Sequence, residues 1–180
     1  MAEFVIGILI ILLFSVCAPL SASKKRSETQ KLLAQMLLEQ KFATSAVIDA
    51  GEMSLYIDRI NRQFFVRASP TDLNCVIYPY EALTCFEVLD DGNKIFSASD
   101  GRIAVDFLFS ADKLPLLQKS GNCSSLLVTL RLNGSRSPDI VIPLLTQSVS
   151  RRFFAYREAI DVTRTLAAAL AEICGCPNPK

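Results

Sequence analysis

No charged residue occurs from Phe4 to Ser23, and three bases, Lys24, Lys25 and Arg26, come directly after. A bilayer-spanning helix needs roughly 20 mostly apolar residues, whereas the apolar core of a secretory signal runs about 7–15 behind a positive start. The uncharged window from Phe4 to Ser23 reaches the spanning length, while its most apolar stretch, Phe4 to Val16, has signal length, so length alone does not decide. Its flanks favour an uncleaved anchor, because one acid, Glu3, precedes the segment and the bases come after it. Positive residues stay on the cytoplasmic side. The arrangement predicts a single pass through the cell (inner) membrane, with the N-terminus outside and the remaining chain cytoplasmic. The competing expectation is export after cleavage at Pro19-Leu20-Ser21-Ala22. Leu20 suits that cut poorly, and no positive start precedes the segment. A lipoprotein at Cys17 fits less well, since Phe14-Ser15-Val16 lacks the usual small aliphatic pattern. Lys24, Lys25 and Arg26 orient the segment first. They are also placed to meet lipid headgroups, where each base near an anionic leaflet is worth about 1 kcal/mol.

A chain of 180 residues is one domain plus at most an appendage. Its hydrophobic fraction of 51% is too high for disorder. The chain has no His, which removes Ser-His-Asp and Cys-His catalysis and most zinc sites. A net charge of +1 argues against a nucleic-acid partner. Carboxylate pairs exist at Asp90-Asp91 and at Glu158 with Asp161. The first reads as a turn, and the second as part of a solvated helix face beside Arg157 and Arg164. Glycines are too scattered for a phosphate loop. The expectation is a protein that is not an enzyme, with no cofactor and no metal.

Of the six cysteines, Cys17 lies in the apolar segment. Cys75, Cys85, Cys123, Cys174 and Cys176 make an odd number in the body. That suits reduced cytosolic thiols better than a disulfide framework. Cys174-Gly175-Cys176 is the one close pair. It supplies too few ligands for a tetrahedral shell, so a redox or metal role for Cys174 and Cys176 is the lesser alternative.

The remaining pattern predicts three parts. Ser27-Glu28-Thr29-Gln30 has capping-box spacing, and Leu32, Leu33, Met36 and Leu37 fall on one face, giving a short amphipathic helix from Ser27 to about Lys41. It serves as a spacer packed on the domain, a dimer seam or an interfacial helix. From about Ala43 to Leu145 short strands are expected: Ser45–Asp49, Ser54–Asp58, Gln63–Arg67, Cys75–Tyr78, Thr84–Leu89, Lys94–Ser97, Ile103–Phe109, Leu126–Leu132 and Asp139–Pro143. Asp90-Asp91-Gly92-Asn93 reads as a turn, Tyr80–Leu83 as one helical turn, and Pro143 as an edge or strand-end position. A long helix from about Ser150 to Ile173 carries Phe153, Tyr156, Ile160, Thr163, Leu166, Ala167, Leu170 and Ile173 near one face, and Gly175 and Pro177 stop it. The sum is an α+β fold, a closed or nearly closed antiparallel sheet of about seven strands plugged by the C-terminal helix.

A strand meander ending in one terminal helix resembles the pleckstrin-homology (PH) superfold, and locally it is similar to small bacterial PH-like domains. The resemblance is carried by Ser54 to Val66, by Tyr78 to Gly92 with its acidic Asp-Gly turn, and by Leu127 to Leu132, Pro138 to Leu145 and the helix from Arg151. It implies a PH-like β-barrel or sandwich and a binding or scaffolding module whose partner is a protein or the membrane surface. Lipid-binding members use a basic pattern around the first hairpin turn. Here that turn offers Arg59 and Arg62, with Arg67 further along, and the Lys-then-Arg-x-Arg pattern is absent. Arg151 and Arg152 stand where a helix dipole disfavours cations, which marks either a partner or lipid contact, an earlier helix start, or a solvated pair. The expected organisation is an anchor or signal at 1–23, a basic flank and linker helix at 24–42, the PH-like domain at 43–176 and a tail at 177–180.

Overall fold

Alternation along three successive strands organises the first half of the molecule. The computed structural model describes residues 28–110, 121–133 and 140–177. Strands β1 (Ala46–Ala50), β2 (Met53–Asp58) and β3 (Gln63–Arg67) form an antiparallel meander, and β4 (Tyr78–Pro79) pairs with the outer edge of β3. Successive side chains point to opposite faces of a sheet. Leu55, Ile57 and Phe64 therefore face one way and are fully buried in the main core, while Tyr56 and Phe65 face the other. That second face is covered as well. Residues 28–39 form a helix, α1, which lays Leu33, Leu37 and Met36 onto it. Phe65 stacks on Tyr56 at a centroid distance of 4.5 Å and meets the edge of Phe42 at 5.2 Å. Leu32, expected on the packed face, is half exposed instead.

A 3-10 turn at Tyr80–Ala82 carries the chain into a second sheet. Its strands are β5 (Leu83–Asp90), β6 (Asn93–Ser99), β7 (Arg102–Asp106), β9 (Leu126–Leu132) and β10 (Ile140–Leu145), in the spatial order β10-β9-β5-β6-β7. Two short strands, β8 (Asn122–Cys123) and β11 (Val149–Ser150), pair with each other. Helix α2 (Phe154–Ile173) closes the chain. Tyr156, Ile160, Leu166 and Leu170 on α2 join Phe86, Val88, Phe96, Val128 and Leu130 in one core with the first sheet.

The architecture is α+β with antiparallel sheets and a C-terminal helix, and it departs from expectation in several places. The strands make a four-stranded, a five-stranded and a two-stranded sheet, so of the barrel and the sandwich left open by the sequence the closed barrel is not formed among the described residues. Among the described residues no ladder joins edge β1 to edge β10, although the two touch, and α2 packs against both. The strand expected at Cys75–Tyr78 shrinks to Tyr78–Pro79, the part that finds a ladder partner, on β3. Helix α2 starts at Phe154 and not near Ser150, so Arg151 and Arg152 precede it. Phe153, expected on the packed face, is 66% exposed. Pro143 does lie on an edge strand, β10, as expected of a proline within a sheet. No helix among the described residues is long and apolar enough to cross a membrane. The segment at 1–23 and Lys24, Lys25 and Arg26 lie outside the described residues.

Asp58, at the end of β2, is fully buried and fixes the turn into β3. Its carboxylate accepts backbone N–H bonds from Ala43 (2.7 Å), Ile60 (2.9 Å) and Asn61 (2.9 Å), and one from the Asn61 amide (2.7 Å). Burial opposes the charged form, but the bonds from Asn61, Ala43 and Ile60 outweigh it and hold the carboxyl below its ordinary range. A group depressed in this way stabilises the fold above its unfolded pKa, and that stability is lost as pH falls through the folded value. Asp58→Ala is expected to cost about 2–3 kcal/mol in urea unfolding, by stranding buried backbone donors. Asp58→Asn is expected to weaken the loss of stability that the parent chain shows below about pH 4.

Candidate functional site

A dense group of ionisable side chains gathers where the second sheet meets the start of α2. Asp91 and Gly92 both have positive φ, 49° and 79°, as a tight two-residue hairpin requires. The inward side of β5 is Leu83, Phe86, Val88 and then Asp90, so Asp90 enters the core and is 2% exposed. The β8–β11 pairing delivers Arg151 opposite it. Arg151 Nη1 and Nη2 bond both oxygens of Asp90, the Nη2 bond to Oδ1 being 2.6 Å. Nη2 also reaches Asp91 Oδ2 at 2.9 Å. The hydroxyl of Tyr156 accepts from Arg151 and donates to Asp90 Oδ2, each at 2.9 Å. Asp91 Oδ1 takes the N–H groups of Ser124 (2.7 Å) and Ser125 (3.0 Å).

The bonds within this cluster set the protonation of its members. The bond to Asp90 fixes the Arg151 charge, and burial beside Asp90 keeps the Tyr156 phenol protonated. Burial, reinforced by Asp90, pushes the Cys123 thiol up to about 12, so it carries no thiolate nucleophile at neutral pH. Asp90, Asp91 and Cys123 bring ligand-type atoms within 4.8 Å of one another, a spacing that a cation could bridge. The guanidinium of Arg151 already bonds both carboxylates there.

The other basic residues singled out by sequence sit elsewhere. Arg59 and Arg62 occupy the β2–β3 turn. Arg59 makes a forked pair with Glu172 near the end of α2, at 2.7 and 2.9 Å. Arg62 lies 3.3 Å from Glu81, with its guanidinium 5.1 Å from the centre of the Tyr80 ring. Arg67 is buried and binds the backbone oxygens of Asp72 and Pro70, fastening the loop after β3. Arg152 is exposed. Cys174 and Cys176 are free thiols, and burial pushes both up, Cys174 to about 12.

Two cavities flank the β1 strand. A polar cleft of about 360 Å³ lies between Gln30 of α1 and the β1–β2 turn, and includes Asp49, Glu52, Tyr56 and Arg67. A groove of about 500 Å³ runs between β1 and α2, with Arg59 and Glu172 among its lining residues.

The molecule thus has two distinct ends. At one lie Arg59, Arg62, Glu172 and the Gly101–Gly175 approach, where a Cβ on Gly101 would stand 3.5 Å from the Gly175 oxygen. At the other, Gly51 of the β1–β2 turn borders both Gln30 on α1 and the first turns of α2, Ala155 and Glu158, beside Leu144 and Leu145. The Asp90–Arg151 cluster belongs to this second end, because Leu126 pairs with both Asp90 and Leu145. Phe153 and Phe154 stand exposed here, at 66% and 77%. Sequence reasoning singles out Arg151 and Arg152 but misses the partners Asp90 and Tyr156 and the exposed Phe154. The run Arg-Arg-Phe-Phe is the available signal.

Arg151→Ala leaves Asp90 buried without its cation. It is expected to cost about 3 kcal/mol in urea unfolding. The Cys123 thiol stays protonated in the fold and ionises in the unfolded chain above its ordinary value of 9.0. Stability is therefore full below that value and falls as pH rises toward the folded value. Cys123→Ala is expected to flatten this alkaline decline in unfolding midpoints.

No family model, no curated protein and no solved structure matches this chain.

Proposed function

We propose that this chain is a non-enzymatic, membrane-anchored module of PH-like build that holds an interaction domain at the cytoplasmic face of the cell membrane. The observation that carries this reading is the uncharged run from Phe4 to Ser23 with Lys24, Lys25 and Arg26 at its C-terminal end. Bases on that flank favour keeping the downstream domain in the cytoplasm. The folded part supports a binding role in place of a chemical one. Its dense ionisable cluster is consumed by internal hydrogen bonds, and Cys123, Cys174 and Cys176 are held as protonated thiols. Cys75, Cys85, Cys123, Cys174 and Cys176 stand as free thiols, which suits a reducing compartment. The PH-like reading draws support from the four-stranded meander, the second antiparallel sheet and the terminal helix. The partner is a protein or the membrane surface.

Reporter fusions after Lys180 test the arrangement. A green fluorescent protein fusion is expected to fluoresce and an alkaline phosphatase fusion to stay inactive. Active phosphatase, or a mature chain lacking residues 1–22, would replace this reading with the exported one.

A further inference from the structure

The start of α2 breaks the local rules for beginning a helix. The N-cap favours Ser, Thr, Asp or Asn, and acids are favoured in the first turn. Here the N-cap is Phe153, no side chain caps the helix, and the first turn holds no acid. Arg152 precedes the helix and Arg157 lies in its second turn, so two bases flank its positive pole, with Asp90, Asp91 and Glu158 close by. Phe153 and Phe154 meanwhile project from the surface when neighbouring positions on the same helix, Tyr156 and Ile160, are buried. Departures from local consistency of this kind concentrate at functional sites. Adjacent exposed aromatics flanked by arginines are the composition of a surface that inserts rings at the headgroup level and pairs its cations with phosphates.

The placement names the occupant. Gly51 borders Gln30, in the first described turn of α1, and also borders Ala155, next to Phe154. The chain reaches α1 directly from Lys24, Lys25 and Arg26 and the uncharged segment before them. The first described turn of α1 and the start of α2 therefore lie at one end of the molecule, and the exposed phenylalanines share that end. The opposite end carries Arg59, Arg62, Glu172 and Glu81. Glu52 and Glu158 also lie at the phenylalanine end, so insertion of the rings, and not net charge, drives the contact.

We infer that Phe153 and Phe154, with Arg152 and Arg157 beside them, form a lipid-docking face that seats the domain on the same bilayer to which its N-terminal segment is tethered. This inference rests on the anchored reading proposed above.

The chain contains no Trp, so one substitution creates a unique reporter. Full-length Phe154→Trp would be reconstituted into vesicles of equal parts phosphatidylethanolamine and phosphatidylglycerol, with and without brominated acyl chains. Phe153→Trp is the second reporter. Ile60→Trp is the reference at the far end, where Ile60 is 78% exposed. Vesicle flotation is recorded on every sample, and circular dichroism checks that each variant is folded. The expected result is blue-shifted emission from Phe154→Trp and Phe153→Trp that bromine quenches severalfold more than emission from Ile60→Trp. Water-like, unquenched emission from a chain that floats with the vesicles overturns the docking face and leaves the anchor standing. Blue-shifted emission that bromine does not quench also overturns it, by showing the face covered by protein, a second copy in this purified system. A chain that fails to float overturns the anchor and the docking face together.

Discussion

Asp90 is a charged residue inside the core, and the second half of the molecule is arranged around keeping it paired. A buried carboxylate without a cation would cost several kcal/mol. The cation comes from Arg151, far along the chain, and it can arrive only if β11 pairs with β8 and the helix start lies against the end of β5. Tyr156, on the first turn of that helix, completes the group by donating to the same carboxylate. One polar knot thus sets the register of a two-residue ribbon, the starting point of α2 and the end of the central strand. An apolar substitute for the pair could be equally stable. It would not specify so narrowly where the helix begins.

The amino-acid pattern shows some of this and hides the rest for physical reasons. Strand Leu126–Leu132 is legible to the residue because alternation with a buried face leaves a period-two pattern, and Gln63–Arg67 because a β-favouring run follows a polar turn. The buried stripe of α2 is legible from Tyr156 to Ile173 for the analogous helical reason. The Asp-Asp-Gly turn is legible from its composition, yet nothing local says that the first of its two aspartates points inward. That direction depends on a partner distant in the chain and on the pleat of β5. The β8–β11 pair leaves no trace because two residues carry no periodicity. The helix start expected near Ser150 fails for a related reason, since Arg151 is drawn out of helical register by Asp90. For the candidate face, Phe153 has the spacing of the packed stripe of α2, and only its exposure separates it from that stripe.

The two helices divide the work of burial. Helix α2 closes the main core between the two sheets, touching edges that would otherwise be open to pairing with another chain. Helix α1 covers the reverse side of the first sheet, where Tyr56 and Phe65 form a stacked plate. A hairpin with both faces covered is pinned in register, because a slip by one residue would exchange Leu55, Ile57 and Phe64 for Tyr56 and Phe65 across the sheet.

The seating of α1 has a consequence for where the domain can be cut. A version begun at residue 43, where the strands start, would remove Leu33, Leu37 and Phe42 and strip the roof from Phe65. The aromatic plate would then open onto water as a contiguous sticky face. The helix next to the apolar N-terminal segment is therefore not a detachable leash. It is the lid of the domain, and any excised form that is to stay in solution must carry it.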